Sequence, residues 1–202
     1  ETTNWDINRQ NIQFGATALN IAVHFGPRKL DLVRYLVEKR KANPYIYNTS
    51  GNSCFHLACD NSDADPKVIQ YLFQNSHFDA NMKIRARSIK MKFLRIICVL
   101  ATKAKFKRSK LYAYVAKYSG ATSLHLAAQR GDLEIVELLM ECGAHPFIKN
   151  GLGRDVLSCC QAFPEIKHAI VRLKREAGRA QEGTSTHAIG TTRVTAEPSN
   201  GT

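Results

Sequence analysis

Apolar side chains recur along this chain at helical spacing in short stretches, with charged and polar residues between them. In the clearest stretch Leu133, Val136 and Leu139 share one helical face, and Ile135 lies beside them. The same spacing recurs nearer the N-terminus, at Leu30, Val33 and Leu36 and at Val68, Ile69 and Leu72. The pattern predicts a series of short amphipathic helices separated by turns.

A second pattern precedes each of these stretches. Residues 15–22 read GATALNIA, residues 51–58 read GNSCFHLA and residues 120–127 read GATSLHLA, and a weaker copy, GRDVLS, occupies residues 153–158. Glycine suits a turn with a positive φ angle, and the Thr or Ser two residues later is a good N-cap. Each unit is therefore predicted to be a helix, a turn, a second helix and a loop of small residues.

This unit resembles the ankyrin repeat, which reads G-x-T-P-L-H-x-A, then a glycine turn, a V-V-x-x-L-L helix and a G-A-x-x-N ending. The resemblance covers residues 6–82 and 120–175; the fourth copy depends on its spacing and on a predicted helix over residues 164–173. It implies an all-α ankyrin-repeat solenoid of about four helix-turn-helix units, whose apolar faces are buried by stacking. Because residues 6–8 resemble the end of an earlier repeat and the chain begins with Glu1, we expect a fragment of a longer array.

The chain departs from the repeat pattern at its proline, which is absent from all four copies. The pattern's histidine is kept at His56 and His125, and the resemblance implies that both form hydrogen bonds within and between repeats. His56 and Cys59 can share a helical face, but no second His or Cys pair completes a zinc site. No catalytic motif is present, so we expect no enzyme, no metal and no cofactor.

The net charge of +12 comes from one part of the chain. Residues 83–118 contain 12 basic residues and no acidic one, and about 33 residues there exceed the repeat spacing. The predicted organisation is thus ankyrin repeats in 1–82, a basic insertion or degenerate repeat in 83–119, ankyrin repeats in 120–177 and a disordered tail in 178–202. We call residues 83–119 the basic block.

Three interpretations of the basic block stay open. It is a degenerate repeat with helices over residues 91–104 and 106–117, a functional insertion at a hairpin tip, or sequence foreign to the native protein, such as translated intron. Its apolar run 96–101 is compatible with an anionic membrane surface, and its basic cluster beside tyrosines suggests polyanion or nucleic-acid binding. The cluster consists of Lys103, Lys105, Lys107, Arg108 and Lys110.

The resemblance implies that loop tips and first helices form a concave surface for a partner protein. Aromatic and arginine side chains are favoured anchors there; the predicted contacts are Phe25, Tyr45, Tyr47, Asn61, Arg130, Phe147 and Lys149. The predicted function is a scaffold or adaptor. The alternatives are a regulatory ankyrin segment of a larger enzyme or channel, and polyanion binding through residues 83–118. Six cysteines without a disulfide spacing favour an intracellular location, cytoplasmic or nuclear, and no apolar stretch is long enough for a transmembrane segment.

Overall fold

The computed structural model describes residues 5–25, 29–61, 63–86, 89–103, 115–116 and 118–187. In these residues the regular elements are helices, and one isolated antiparallel bridge joins Lys83 to Thr122. The predicted all-α series of helix-turn-helix units is confirmed.

The helices come in pairs that follow the repeated motif. The first unit pairs α1 (Ala18–Phe25) with α2 (Lys29–Arg34), which continues as a π-helical turn over Tyr35–Lys39; the second pairs α3 (Cys54–Cys59) with α4 (Pro66–Ser76). Helix α5 (Ile89–Lys103) follows in the basic block. The third unit pairs α6 (Ser123–Arg130) with α7 (Leu133–Glu141), and the fourth pairs α8 (Val156–Cys159) with α9 (Pro164–His187).

The four units stack in two rows. The first helices α1, α3, α6 and α8 pack on one another in that order, and the second helices α2, α4, α7 and α9 form a parallel row behind them. Helix α3 packs directly against α6, although the basic block separates them along the chain. The stack is therefore continuous across the basic block.

Side-chain caps begin most of the helices where the motif predicts them. The Ser53 hydroxyl accepts a hydrogen bond from the His56 N–H over 3.3 Å, and the Ser53 backbone N–H donates in turn to His56 Nδ1 over 3.4 Å. Thr122 and His125 form the same capping box on α6. Such caps contribute about 1 kcal/mol each, which helps to explain why the units form without the proline of the repeat pattern.

One apolar core runs through all four units and joins each to its neighbours. Leu19, Phe55 and Leu124 occupy one motif position in the first three units, and all three are completely buried. Val33 and Ile69 do the same for the second helices. Burial of each such side chain contributes about 1.5–3 kcal/mol, so the stack is held together chiefly by its interfaces.

The basic block begins and ends at the two sides of one hairpin. The Ile84 N–H donates to the Ala121 carbonyl over 2.8 Å, and the Gly120 N–H donates to the Ile84 carbonyl over 3.1 Å. The same two hydrogen bonds close the neighbouring hairpins, between Asn48, Gly51 and Asn52 and between Asn150, Gly153 and Arg154. Those hairpins have two residues at the tip, where this one has residues 85–119. This placement supports the hairpin-tip interpretation.

Two helices extend differently from the sequence prediction. Helix α9 runs to His187, well beyond the predicted end at residue 173 and into the predicted tail. The helix formers Ala180, Gln181 and Glu182 favour this extension, whereas Gly183 and Thr184 do not. Residues 188–202 lie outside the described residues. The bounds of α5, Ile89–Lys103, nearly match those predicted for the first helix of a degenerate repeat, residues 91–104. Almost all of the predicted second helix, residues 106–117, lies outside the described residues.

Within the described part of the chain, no helix combines the length and the apolar character that a membrane crossing requires.

Candidate protein-binding site

A groove lies between the first helices, the hairpin tips and the basic block, on the side of the stack where the resemblance implies a concave surface. It encloses about 610 Å³, and most of its surface is apolar. Helices α1 and α3 form its floor, and α5 lies along one side. The side chains that define it best are Ile21, Phe25, Leu57, Met91, Arg95 and Tyr118.

An apolar row runs along the floor of this side of the stack. Ile21, Leu57 and Leu126 occupy the same position of the repeated motif, so stacking aligns them. Their exposure falls along the row: Ile21 is 45% exposed, Leu57 is half-buried and Leu126 is buried beside Ile84 and Tyr118. The basic block thus covers the row at the third unit and leaves it open at the first.

Phe25 is the predicted contact that lies in this groove. Its side chain is 76% exposed, and its ring meets the His24 ring edge to face with centroids 4.2 Å apart. Ile21 and Phe25 also line a shallower cavity of about 410 Å³ with Leu32 and Leu36, on the same unit. The first unit therefore presents two large apolar side chains to solvent.

Asn61 and Arg130 connect neighbouring units. The Asn61 amide donates to the His24 carbonyl over 2.7 Å, and the Arg130 guanidinium donates to the Asp60 carbonyl over 2.9 Å. The two carbonyls lie at the C-terminal ends of α1 and α3, where the last carbonyls of a helix have no partner within the helix. Asn61 and Arg130 each supply a hydrogen bond to one of them from the next unit. Their contact with a partner protein stays a prediction.

Tyr45 and Tyr47 lie together in a different place. The Tyr45 hydroxyl donates to the Ser76 carbonyl, and the Tyr47 hydroxyl lies 2.8 Å from the Met82 sulfur. Both line a second cavity of about 610 Å³ that shares no residue with the groove and includes Arg85. Their hydroxyl groups are thus engaged within the chain, while half of the Tyr45 side chain stays exposed.

Phe147 and Lys149 lie on the loop between the third and fourth units, and they line neither cavity. The Lys174 ammonium sits 4.2 Å from the centre of the Phe147 ring, a cation–π contact. The Lys149 carbonyl accepts a hydrogen bond from the Lys83 ammonium over 3.0 Å. The structure therefore distributes the seven predicted contacts over separate places instead of gathering them on one surface.

The predicted polyanion cluster falls almost entirely outside the described residues. Lys103 is the last residue of α5; Lys105, Lys107, Arg108 and Lys110 follow it in the undescribed segment. Polyanion binding through these residues stays a prediction.

The two motif histidines are neutral structural residues. His56 Nδ1 lies 2.8 Å from the Ser53 hydroxyl, and its Nε2–H donates to the Met82 carbonyl over 3.0 Å, in the following loop. Burial lowers the pKa of His56 to about 4, and burial also lowers the pKa of His125, which bonds to the Arg154 carbonyl. These bonds within and between units are those that the resemblance implies. Nowhere in the described ranges do three His, Cys, Asp or Glu side chains come together as a metal site would require.

Four cysteines are buried free thiols: Cys54, Cys59 and Cys160 in the repeats and Cys98 on α5. Burial raises the pKa of Cys54 to about 12 and that of Cys59 further. A thiol with a raised pKa is a poor nucleophile, so these residues act as small apolar side chains.

Residues 3–85 match the family model for three copies of the ankyrin repeat, and residues 119–151 match the model for a single ankyrin repeat. Together the matches cover more than half of the chain. The chain belongs to the ankyrin-repeat family. The gap between the two matches, residues 86–118, coincides with the basic block. No curated protein sequence matches the chain significantly. Ankyrin repeats generally mediate protein–protein interaction and are typically non-catalytic.

Three apolar residues line the groove of this ankyrin stack although the sequence did not predict them as contacts: Phe14, Ile21 and Leu57. The sequence does contain a signal for Ile21 and Leu57. Their position in the repeated motif is apolar in the first three copies, although it is not one of the positions expected to be buried in the core. Phe14 has no such signal, because its place in the groove depends on how the first loop packs.

Proposed function

We propose that this chain is a non-catalytic ankyrin scaffold or adaptor whose partner protein binds in the concave groove beside Ile21 and Phe25. The observation that carries the proposal is the open end of the apolar row. An apolar side chain that is 45% or 76% exposed inside a concave cavity is typical of a binding surface.

The dimensions and chemistry of the groove indicate the kind of segment it takes. The surface that it exposes is mostly apolar, although about half of the residues that line it are polar, among them Asn20, Asn52 and Asp60. A cavity of about 610 Å³ accommodates a few side chains of a peptide segment rather than a whole domain. We therefore expect a helix or loop of the partner that presents two or three apolar side chains, each contributing about 1.5–3 kcal/mol on burial.

An intracellular location belongs to the same proposal. Free, buried thiols such as Cys54 and Cys59 are compatible with a reducing compartment, where thiols stay reduced. The groove serves a free-standing adaptor and the regulatory segment of a larger protein equally well, because both require only that a partner segment fill it.

Charge substitutions in the groove test the proposal. Phe25→Glu and Ile21→Glu each place a carboxylate in the apolar groove, and we expect each to weaken partner binding at least about tenfold, the loss that 1.4 kcal/mol produces. Tyr35→Glu is the matched control, since Tyr35 is a comparably exposed aromatic residue (49%) on the second row of helices. Binding by Phe25→Glu and Ile21→Glu at the affinity of the unaltered chain, measured by calorimetric titration, would exclude the groove as the binding site.

A further inference from the structure

Helix α5 carries an apolar face that is exposed to solvent. Its five most exposed apolar side chains, 54–70% exposed, recur every three or four residues and so form one stripe along the helix. They are Ile89, Phe93, Ile96, Ile97 and Leu100. Five large apolar side chains on one helical face are far more than a soluble surface helix needs, since such residues usually occur singly on surfaces.

The opposite face of α5 is anchored on the repeats. Arg95 is 6% exposed; one of its terminal nitrogens donates to the Ser50 carbonyl over 2.7 Å, and the other donates to the Ile84 carbonyl over 3.4 Å. Cys98, one turn further along, is completely buried. These contacts fix the rotation of α5 about its axis and leave the apolar stripe exposed to solvent. At one edge of the stripe, Ile96 and Leu100 also line an open cavity of about 550 Å³ with Gly120 and Gly151 of the hairpins.

Positive charge borders the stripe on both sides. At 100° per residue, Lys90 lies on one side of the stripe and Lys92 on the other, and both are exposed. The surrounding residues 83–118 contain no acidic side chain. An apolar stripe with lysines along both edges is the pattern of helices that lie in the headgroup region of anionic membranes.

We propose that α5 docks this protein on an anionic membrane surface, with the stripe inserted among the lipid chains and Lys90 and Lys92 at the phosphate level. A helix of 15 residues is about 22 Å long, shorter than the ~30 Å hydrocarbon core, so it lies along the surface and does not cross. Lysines near the surface add electrostatic attraction to anionic lipid.

The charge pattern also argues against two other possible partners of the apolar stripe on α5, a second copy of the chain and its own C-terminal residues. A second copy of the chain would bring the same positive block to the interface, and the two would repel. Residues 188–202 of the same chain contain one acidic residue, Glu197, and one basic residue, Arg193, so they offer no net negative charge. An anionic lipid surface supplies both the apolar layer and the opposite charge that the stripe and its lysines require.

Vesicle co-sedimentation of the full chain tests the proposal. We expect binding to vesicles containing about a third phosphatidylserine, at least tenfold weaker binding to pure phosphatidylcholine, and weaker binding as salt is raised. The Phe93→Ser/Ile97→Ser variant is expected to lose binding, and Lys90→Glu/Lys92→Glu to lose most of it. Ile12→Ser is the matched control, because Ile12 is completely exposed outside α5. All of these side chains are exposed, so the variants keep the circular dichroism spectrum of the unaltered chain.

Three results would overturn the proposal. One is equal vesicle binding by Phe93→Ser/Ile97→Ser and the unaltered chain. Another is a concentration-dependent dimer in sedimentation velocity that the same variant abolishes, which would assign the stripe to self-association. The third is binding to RNA without binding to anionic vesicles. None of these results affects the groove, since Phe93 and Ile97 do not line it, and its partner is measured separately.

Discussion

The Ile84 N–H donates a hydrogen bond to the Ala121 carbonyl over 2.8 Å, across a chain separation that contains nearly the whole basic block. This bond closes the hairpin between the second and third ankyrin repeats in the same register as its neighbours. The repeats on either side therefore pack on each other directly, and the chain enters and leaves the basic block at the tip of this hairpin.

Removal of the basic block is expected to leave the ankyrin stack folded. Replacing residues 85–119 by Thr-Ser restores the two-residue tip found at Thr49-Ser50. The cost is the exposure of Leu126, about 1.5–3 kcal/mol in the free energy of unfolding, because Tyr118 no longer covers it. Urea unfolding followed by circular dichroism measures this.

Deleting residues 119–151, the third repeat, serves as the control for that excision, since it removes α6 and α7 from the core and is expected to unfold the chain. An excised chain that is as unfolded as this control would show that the basic block is an integral repeat.

Two glycines with the same backbone geometry predict different costs of substitution. Gly51 and Gly153 both have φ of 76°, which penalises any other residue by about 1–2 kcal/mol. A Cβ at Gly51 would also overlap the Arg85 carbonyl, whereas a Cβ at Gly153 would meet nothing within 4 Å. Gly51→Ala should therefore lower the unfolding free energy by clearly more than Gly153→Ala in chemical denaturation.

The same pair of substitutions in the excised chain isolates the cause. A Thr takes the place of Arg85 in the excised chain, and the corresponding Thr49 comes no closer than 3.0 Å to a Cβ at Gly15. The difference between the two costs should therefore shrink. An undiminished difference after excision would contradict the contact between Gly51 and the start of the basic block.

The sequence predicted the repeats well because their signals are local. The capping boxes at Ser53 and Thr122 and the buried Leu19, Phe55 and Leu124 follow from spacing and residue type alone. The groove was harder to predict: Asn61 and Arg130 proved to join neighbouring units, and Ile21 gains its significance only when stacking aligns it with Leu57. Which face of α5 is buried and which is exposed is determined by the hydrogen bonds of Arg95 to Ser50 and Ile84. No local sequence pattern predicts these bonds.

The stability of the stack should decrease as the pH falls below the ordinary pKa of histidine. The unfolded chain protonates His56 near pH 6.5 but the folded chain only near pH 4. Above pH 6.5 this group leaves stability unchanged; between 6.5 and 4 it lowers the unfolding free energy by up to about 1.4 kcal/mol per pH unit. His56→Asn, which copies the Asn20 of the first repeat, should give a shallower decrease in urea titrations at pH 7 and pH 5. Parallel decreases in the two proteins would contradict the neutral, buried state of His56.

The basic cluster is expected to bind polyanions in a salt-dependent way. Reversing its charges should abolish retention on heparin at low salt, because phosphate and sulfate contacts release counterions and give a steep salt dependence. The substitutions are to Glu at Lys103, Lys105, Lys107, Arg108 and Lys110. The control makes an equal change in charge on exposed residues of the repeats, at Lys39, Arg40, Lys41, Lys67 and Lys149. Equal losses in the two variants would show an effect of net charge and not of the cluster.

Site-specific photocrosslinking tests the central claim, that the concave groove is the protein-binding surface. A benzophenone side chain is placed at Phe25 in one chain and at Tyr35 in another, and both are irradiated in the cells that express the protein. We expect one discrete protein adduct from the Phe25 position, suppressed by Ile21→Glu, and no such adduct from Tyr35. The same adducts from both positions, no adduct from Phe25, or an adduct unaffected by Ile21→Glu would contradict this claim.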